Sequence, residues 1–155
     1  MTILRPTTAA ILCLLAATAA AQEPVSAETE QEIEFVKSKA AAFFRSLTDK
    51  SLGPERAFPE LIENGPLKGR TEEIGKLIAQ AATLDQRYGP FTGTEVVSSK
   101  AVGSDLIFLC YLYKGERFPV VWYFTFYRAA PFGGVSRPWT LIALRFDAKI
   151  EALEK

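Results

Sequence analysis

The sequence predicts an α+β domain in which N-terminal helices pack in a curved antiparallel sheet of three to four strands. Three observations point there. Apolar residues recur at spacings of three and four as far as Tyr88. From Phe91 onward the pattern turns extended, and no further helical period follows. The breaks between extended segments, with one exception, are short enough for hairpins, so consecutive strands should pair antiparallel. At 155 residues, 48% apolar and 23% charged, the chain can bury one core and has no comfortable room for a second domain.

The first 21 residues stand apart in composition. Met1 to Pro6 carries Arg5 alone, and Thr7 to Ala21 is uncharged, rich in Ala and Leu, and ends in Ala19-Ala20-Ala21 before the polar Gln22-Glu23-Pro24. This is the pattern of a signal peptide cleaved after Ala21, and the mature chain is expected to begin near Gln22 in the periplasm or outside the cell. An apolar stretch of 15 residues is shorter than the roughly 20 that span a bilayer, so no stable membrane anchor is expected after cleavage. Cys13 follows Leu12 rather than a small residue, which argues against a lipid anchor. Residues 22–26 read as a short linker, 27–150 as the domain and 151–155 as a C-terminal tail.

Within the domain, Ile33, Val36, Ala40, Phe43, Phe44 and Leu47 share one face of a helix predicted from about Ala27 to Leu52. Glu28, Glu30, Glu32 and Glu34 crowd its start, where the positive end of the helix dipole favours anions. Gly53-Pro54 stops it, a short segment around Glu55 to Ile62 adds a turn or two before Asn64-Gly65-Pro66, and the stretch reads mostly as connector. Thr71 then caps a second helix over about 71–88, carrying Ile74, Leu77, Ile78, Ala81, Leu84 and Tyr88 and ending at Gly89-Pro90. Extended segments follow at about Thr94 to Val102, Asp105 to Lys114, Arg117 to Arg128 and Pro138 to Asp147. The longer break, Ala129 to Arg137, holds Pro131, Gly133 and Gly134 and reads as an exposed loop.

Composition removes several function classes. Eighteen basic residues balance eighteen acidic ones, which leaves no field to hold nucleic acid. Loss of Arg5 with the signal peptide leaves 17 basic against 18 acidic. The chain has no histidine, so Ser-His and Cys-His pairs and imidazole-based metal sites are excluded. Gly133-Gly134-Val135-Ser136-Arg137 lacks the closing glycine of a nucleophile elbow, and no GxGxxG or GxxxxGK[ST] pattern occurs. Asp49, Asp85, Asp105 and Asp147 are isolated in sequence. No catalytic residue, metal ligand or cofactor is assigned. Cys110, the one cysteine of the mature chain, lies in the apolar run Leu106 to Leu112 without an adjacent cation, as expected of a buried thiol that fills space.

Three stretches carry a family resemblance: Tyr88-Gly89-Pro90-Phe91-Thr92-Gly93-Thr94-Glu95-Val96, Phe118 to Arg128, and Trp139-Thr140-Leu141 to Arg145-Phe146-Asp147. Over most of residues 27–150 the layout resembles small secreted bacterial proteins of the nuclear-transport-factor-2-like superfamily. That resemblance implies the cystatin-like cone fold, in which the sheet wraps the helices, and a habit of pairing through sheets. It implies no single activity, since the superfamily holds isomerases, dehydratases, cyclases and binding modules.

The functional expectation is an exported, non-catalytic domain that binds a small apolar or amphipathic ligand, or a protein partner. The alternative is a cofactor-free isomerase or dehydratase using an Asp/Tyr pair in an apolar cavity. A ligand site is expected at the open end of the cone, lined by Phe44, Tyr88 and Trp122, with Arg145 as its polar group. The competing reading of Arg145 is an outer-face ion pair with Asp147, Glu95 or Asp105.

Two further expectations concern the sheet. A three-residue Lys114-Gly115-Glu116 loop is preferred over a two-residue Gly115-Glu116 turn, placing Leu106, Phe108, Cys110 and Leu112 on the face of Val120 and Trp122. A homodimer is expected through an outer face bearing Ile107, Leu109, Tyr111, Val121 and Tyr123, unless the first helix or the chain end from Ile150 to Lys155 covers it.

Overall fold

The computed structural model describes residues 27–153; the signal-peptide assignment, Cys13 and the linker therefore lie outside the described residues. Helices come first: α1 (Ala27–Thr48), α2 (Pro54–Ile62), a 3-10 turn (Pro66–Gly69), α3 (Thr71–Ala81) and α4 (Leu84–Tyr88). Four strands follow, β1 (Phe91–Val102), β2 (Leu106–Gly115), β3 (Pro119–Tyr127) and β4 (Thr140–Asp147), then a 3-10 turn at Ile150–Leu153. The strands form an open antiparallel meander in the order β1-β2-β3-β4. This is the predicted α+β fold.

Helix α1 buries the six residues expected of it, Ile33, Val36, Ala40, Phe43, Phe44 and Leu47. It stops at Thr48, four residues short of the expected Leu52, because Asp49 turns the chain. The Asp49 carboxylate accepts hydrogen bonds from the Ser51 backbone N–H (2.7 Å) and hydroxyl (2.6 Å), a local alternative to helix. The turn or two of helix expected around Glu55 to Ile62 is a nine-residue helix, α2, started by Pro54 and burying Ala57, Phe58 and Ile62, so less of this stretch is connector than expected. The expected second helix is two pieces. Ala82 and Thr83 interrupt it, and the Thr83 hydroxyl donates back to the Gln80 carbonyl (2.8 Å). Thr71 is the first helical residue rather than a cap, and no side chain caps α3.

The β2–β3 register corrects the preferred hairpin. Tyr113 faces Val120, Tyr111 faces Trp122 and Cys110 faces Tyr123, with Lys114 opposite Pro119 across a four-residue loop. Ile107, Leu109, Tyr111 and Tyr113 therefore join Val120, Trp122, Phe124 and Phe126 against the helices, while Phe108 and Cys110 point away. Two causes favour this register. The loop N–H groups are satisfied outside the hairpin: Glu116 donates to the Pro90 carbonyl, and Arg117 and Phe118 to that of Tyr88 (2.9–3.1 Å). The tyrosine rings also bury well, since Tyr111 donates to the Lys37 carbonyl (3.4 Å) and Tyr113 to Asp85 (3.2 Å).

The outer face consequently differs from the expected one. Ile107, Leu109 and Tyr111 belong to the core, and of the expected patch only Val121 and Tyr123 remain outside. Val121 is fully buried there, and the terminal 3-10 turn packs on β3.

Candidate functional site

The structure brings two of the four expected site residues together. Trp122, 0% exposed on the inner face of β3, packs edge-on against Phe43 and Phe44 (centroids 5.4 and 5.5 Å) and stacks on Phe146 at 4.1 Å. Phe58 and Phe124 complete the cluster. Aromatic side chains thus fill the space in which a ligand was expected, and Trp122 and Phe44 hold the fold together.

Arg145 lies on the other side of the sheet. Simple alternation from Leu141 counts it onto the core face, but a bulge on β4 reverses the count: Leu141 pairs with Phe126 and Ala143 with Thr125, which leaves Ile142 as an extra residue. Leu144 and Phe146 then face inward and Arg145 outward. Its guanidinium sits 4.0 Å from the Tyr123 ring centroid and 3.8 Å from the Asp147 carboxylate, with 68% of the side chain exposed. Tyr88, half-buried at the end of α4, packs on Phe118 (6.3 Å) beneath Arg87 (5.2 Å). Phe44, Tyr88, Trp122 and Arg145 do not line one cavity.

An Asp/Tyr pair is present, but it is not enclosed. The Tyr113 hydroxyl donates to Asp85 (3.2 Å), yet Asp85 is exposed and none of the four principal pockets reaches either residue. The contact ties α4 to β2. Burial, then the Asp85 charge and the hydrogen bond, hold the Tyr113 phenol well above its ordinary value of 10.0. A phenol that ionises more easily in the unfolded chain contributes stability below about pH 10, and that contribution is lost as pH rises further. Tyr113→Phe should therefore cost about 1 kcal/mol at neutral pH and flatten the alkaline loss of stability. Denaturant titrations from pH 7 to pH 12 check this, and an unchanged alkaline slope would contradict it. Burial also raises the Cys110 thiol, which stands on the outer face opposite Tyr123. A thiol kept protonated is a poor nucleophile.

The most voluminous of the four principal concavities lies between α2 and α3, an open groove of about 750 Å³, within the range of about 300–1,000 Å³ typical of ligand sites. Pro59, Ile62, Ile74, Gly75 and Ile78 supply its apolar surface, and Glu55, Arg56, Glu60, Glu63 and Lys68 its charged rim. Arg56 is taken by Glu60 (2.7 Å). Gly75 stands inside α3, where glycine is unfavourable, and a Cβ built on it meets nothing within 4 Å. Packing within the domain does not require a glycine there; it leaves helix backbone bare in the groove wall. Pro59 stands inside α2 and deprives the Glu55 carbonyl of its helical donor. Two helix-weakening residues at facing positions were the sequence signal for this groove. A smaller pocket of about 170 Å³ lies beside Lys39, Glu60, Asn64 and Trp139.

Compared with protein-family models, curated proteins and solved structures, the chain matches none. No helix among the described residues is long and apolar enough to cross a membrane.

Proposed function

We propose that the chain is an exported, non-catalytic binding domain whose α2–α3 groove takes a small apolar or amphipathic ligand, or an apolar segment of a protein partner. The observation that carries this reading is the bare backbone at Gly75. A helix that accepts about 0.5–1 kcal/mol of propensity cost at a position with open space around it keeps that space for something else. The isoleucines below and the carboxylates at the rim suit an occupant with an apolar body and a polar or cationic edge. The resemblance to secreted proteins of the nuclear-transport-factor-2-like superfamily supports the same class, because binding modules occur there. The alternative isomerase or dehydratase reading has its Asp85–Tyr113 pair, but Asp85 is exposed and none of the four principal pockets encloses the pair.

Nile red, an uncharged apolar fluorophore, tests the groove. Gly75→Leu projects into it from a position where an added Cβ meets nothing within 4 Å among the described residues, and it should leave the fold at least as stable while weakening Nile red binding about tenfold, or about 1.4 kcal/mol. Arg145→Ala, on the outer sheet face, should leave binding unchanged. Equal binding by the Gly75→Leu protein would overturn the assignment.

A further inference from the structure

The loop between β3 and β4 presents the two most exposed large apolar side chains among the described residues, Phe132 (76%) and Val135 (68%). They are held there by a built turn. Phe132 and Val135 exchange backbone hydrogen bonds (3.3 and 3.2 Å) around Gly133 and Gly134, whose φ values of 61° and 78° are the left-handed pair a tight two-residue hairpin demands. Side chains of such a pair project to the same face, so Phe132 and Val135 form one apolar knob. The Arg137 guanidinium lies 5.7 Å from the Phe132 ring centroid and is the sole charge between Ala129 and Trp139. The knob is therefore apolar with a cationic edge.

The α2–α3 groove is its complement. Its isoleucines and bare Gly75 are apolar, and its rim carries three carboxylates against two cations, of which Arg56 is occupied by Glu60. Glu55 and Glu63 make no ion pair among the described residues. Within one chain the two surfaces are separate. Arg137 shares a pocket with Glu28, Glu32 and Phe35 of α1, and no residue lines both that pocket and the groove. We propose that the groove's occupant is the Phe132–Val135 turn of a second copy of this chain, with Arg137 meeting the free carboxylates at the rim. This rests on the groove assignment above and names its partner. A knob and a groove on different parts of the surface make a head-to-tail contact, which propagates into rings or open chains rather than closing as a two-fold dimer.

Complementation tests this directly. In sedimentation velocity the exported chain should associate beyond a dimer, or into a closed ring, as its concentration rises. Phe132→Ser, at an exposed position, and Gly75→Leu, in open space, should each remain folded and weaken self-association at least tenfold. Mixed in equal amounts, the two variants should form a one-to-one dimer and nothing larger, because only one intact knob and one intact groove remain. Three results would overturn the proposal: a wild-type chain that stays monomeric, association that survives both variants, or variants that fail to pair. Nile red separates the two levels of the argument. If Gly75→Leu blocks the dye but neither variant affects sedimentation, the groove stands and its occupant is not a second copy. If the dye ignores Gly75→Leu, the groove assignment itself has failed. Binding to anionic vesicles that Phe132→Ser abolishes, without self-association, would assign the knob to a membrane and also overturn the proposal.

Discussion

Trp122→Ala is expected to lower the free energy of unfolding by about 4 kcal/mol, the largest effect of any side-chain truncation in this domain. Trp122 touches rings from three other elements: Phe43 and Phe44 of α1, Phe58 of α2 and Phe146 of β4. Truncation leaves a cavity that helices and sheet would have to close together, and residues fixed on separate backbones collapse poorly. Trp122→Phe should behave differently. The indole Nε1 is buried without a hydrogen-bond partner among the described residues, and an unpaired buried donor costs about 1–3 kcal/mol. Phenylalanine removes that donor while keeping most of the aromatic contact, so its net cost should stay below about 1.5 kcal/mol. Guanidinium unfolding of the two variants separates the contributions. If Phe proves as damaging as Ala, the packing of this ring, and not its orphaned N–H, sets the balance.

What could be read from the sequence follows from the range of the interactions involved. The buried stripe of α1 was legible because it repeats over 22 residues, long enough for the helical period to stand out from chance. Helix α2 was legible only as a turn or two within a connector, because it has nine residues and two prolines, too few to show a helical period. The four strands were legible from composition and punctuation, but their faces were not. Turn rules weigh the residues of the loop, whereas this loop is held by the Tyr88 and Pro90 carbonyls, which precede β2 altogether. The candidate site follows the same division. Phe44 and Trp122 were recognisable as neighbours across the core, and they meet there as packing. Placing Arg145 required knowing of a bulge at Ile142, which no residue in β4 announces. The groove required seeing that Pro59 and Gly75, each unremarkable alone, belong to helices that face each other.

Gly115→Ala should cost about 3 kcal/mol, although the substitution adds one methyl group and Gly115 does not adopt a left-handed backbone. The reason is proximity to main chain on both sides. A Cβ at this position would stand 2.5 Å from the Tyr88 carbonyl oxygen and 2.8 Å from that of Phe118. Neither atom belongs to a flexible side chain that could swing aside, so the loop must lift from the end of α4. Arg117 and Phe118 both donate to the Tyr88 carbonyl, and Glu116 donates to Pro90, so the movement strains three hydrogen bonds together. The same anchorage favours the β2–β3 register, and thereby the faces on which Tyr111, Tyr113 and Cys110 lie. Gly69→Ala is the control. It adds the same methyl where nothing lies within 4 Å, and it should change stability by less than about 0.5 kcal/mol. Urea midpoints compare the pair, and amide exchange at Glu116, Arg117 and Phe118 should quicken in the Gly115 variant alone. A Gly115→Ala protein as stable as Gly69→Ala would mean that the loop is not clamped by α4, and the explanation of the register would fall with it.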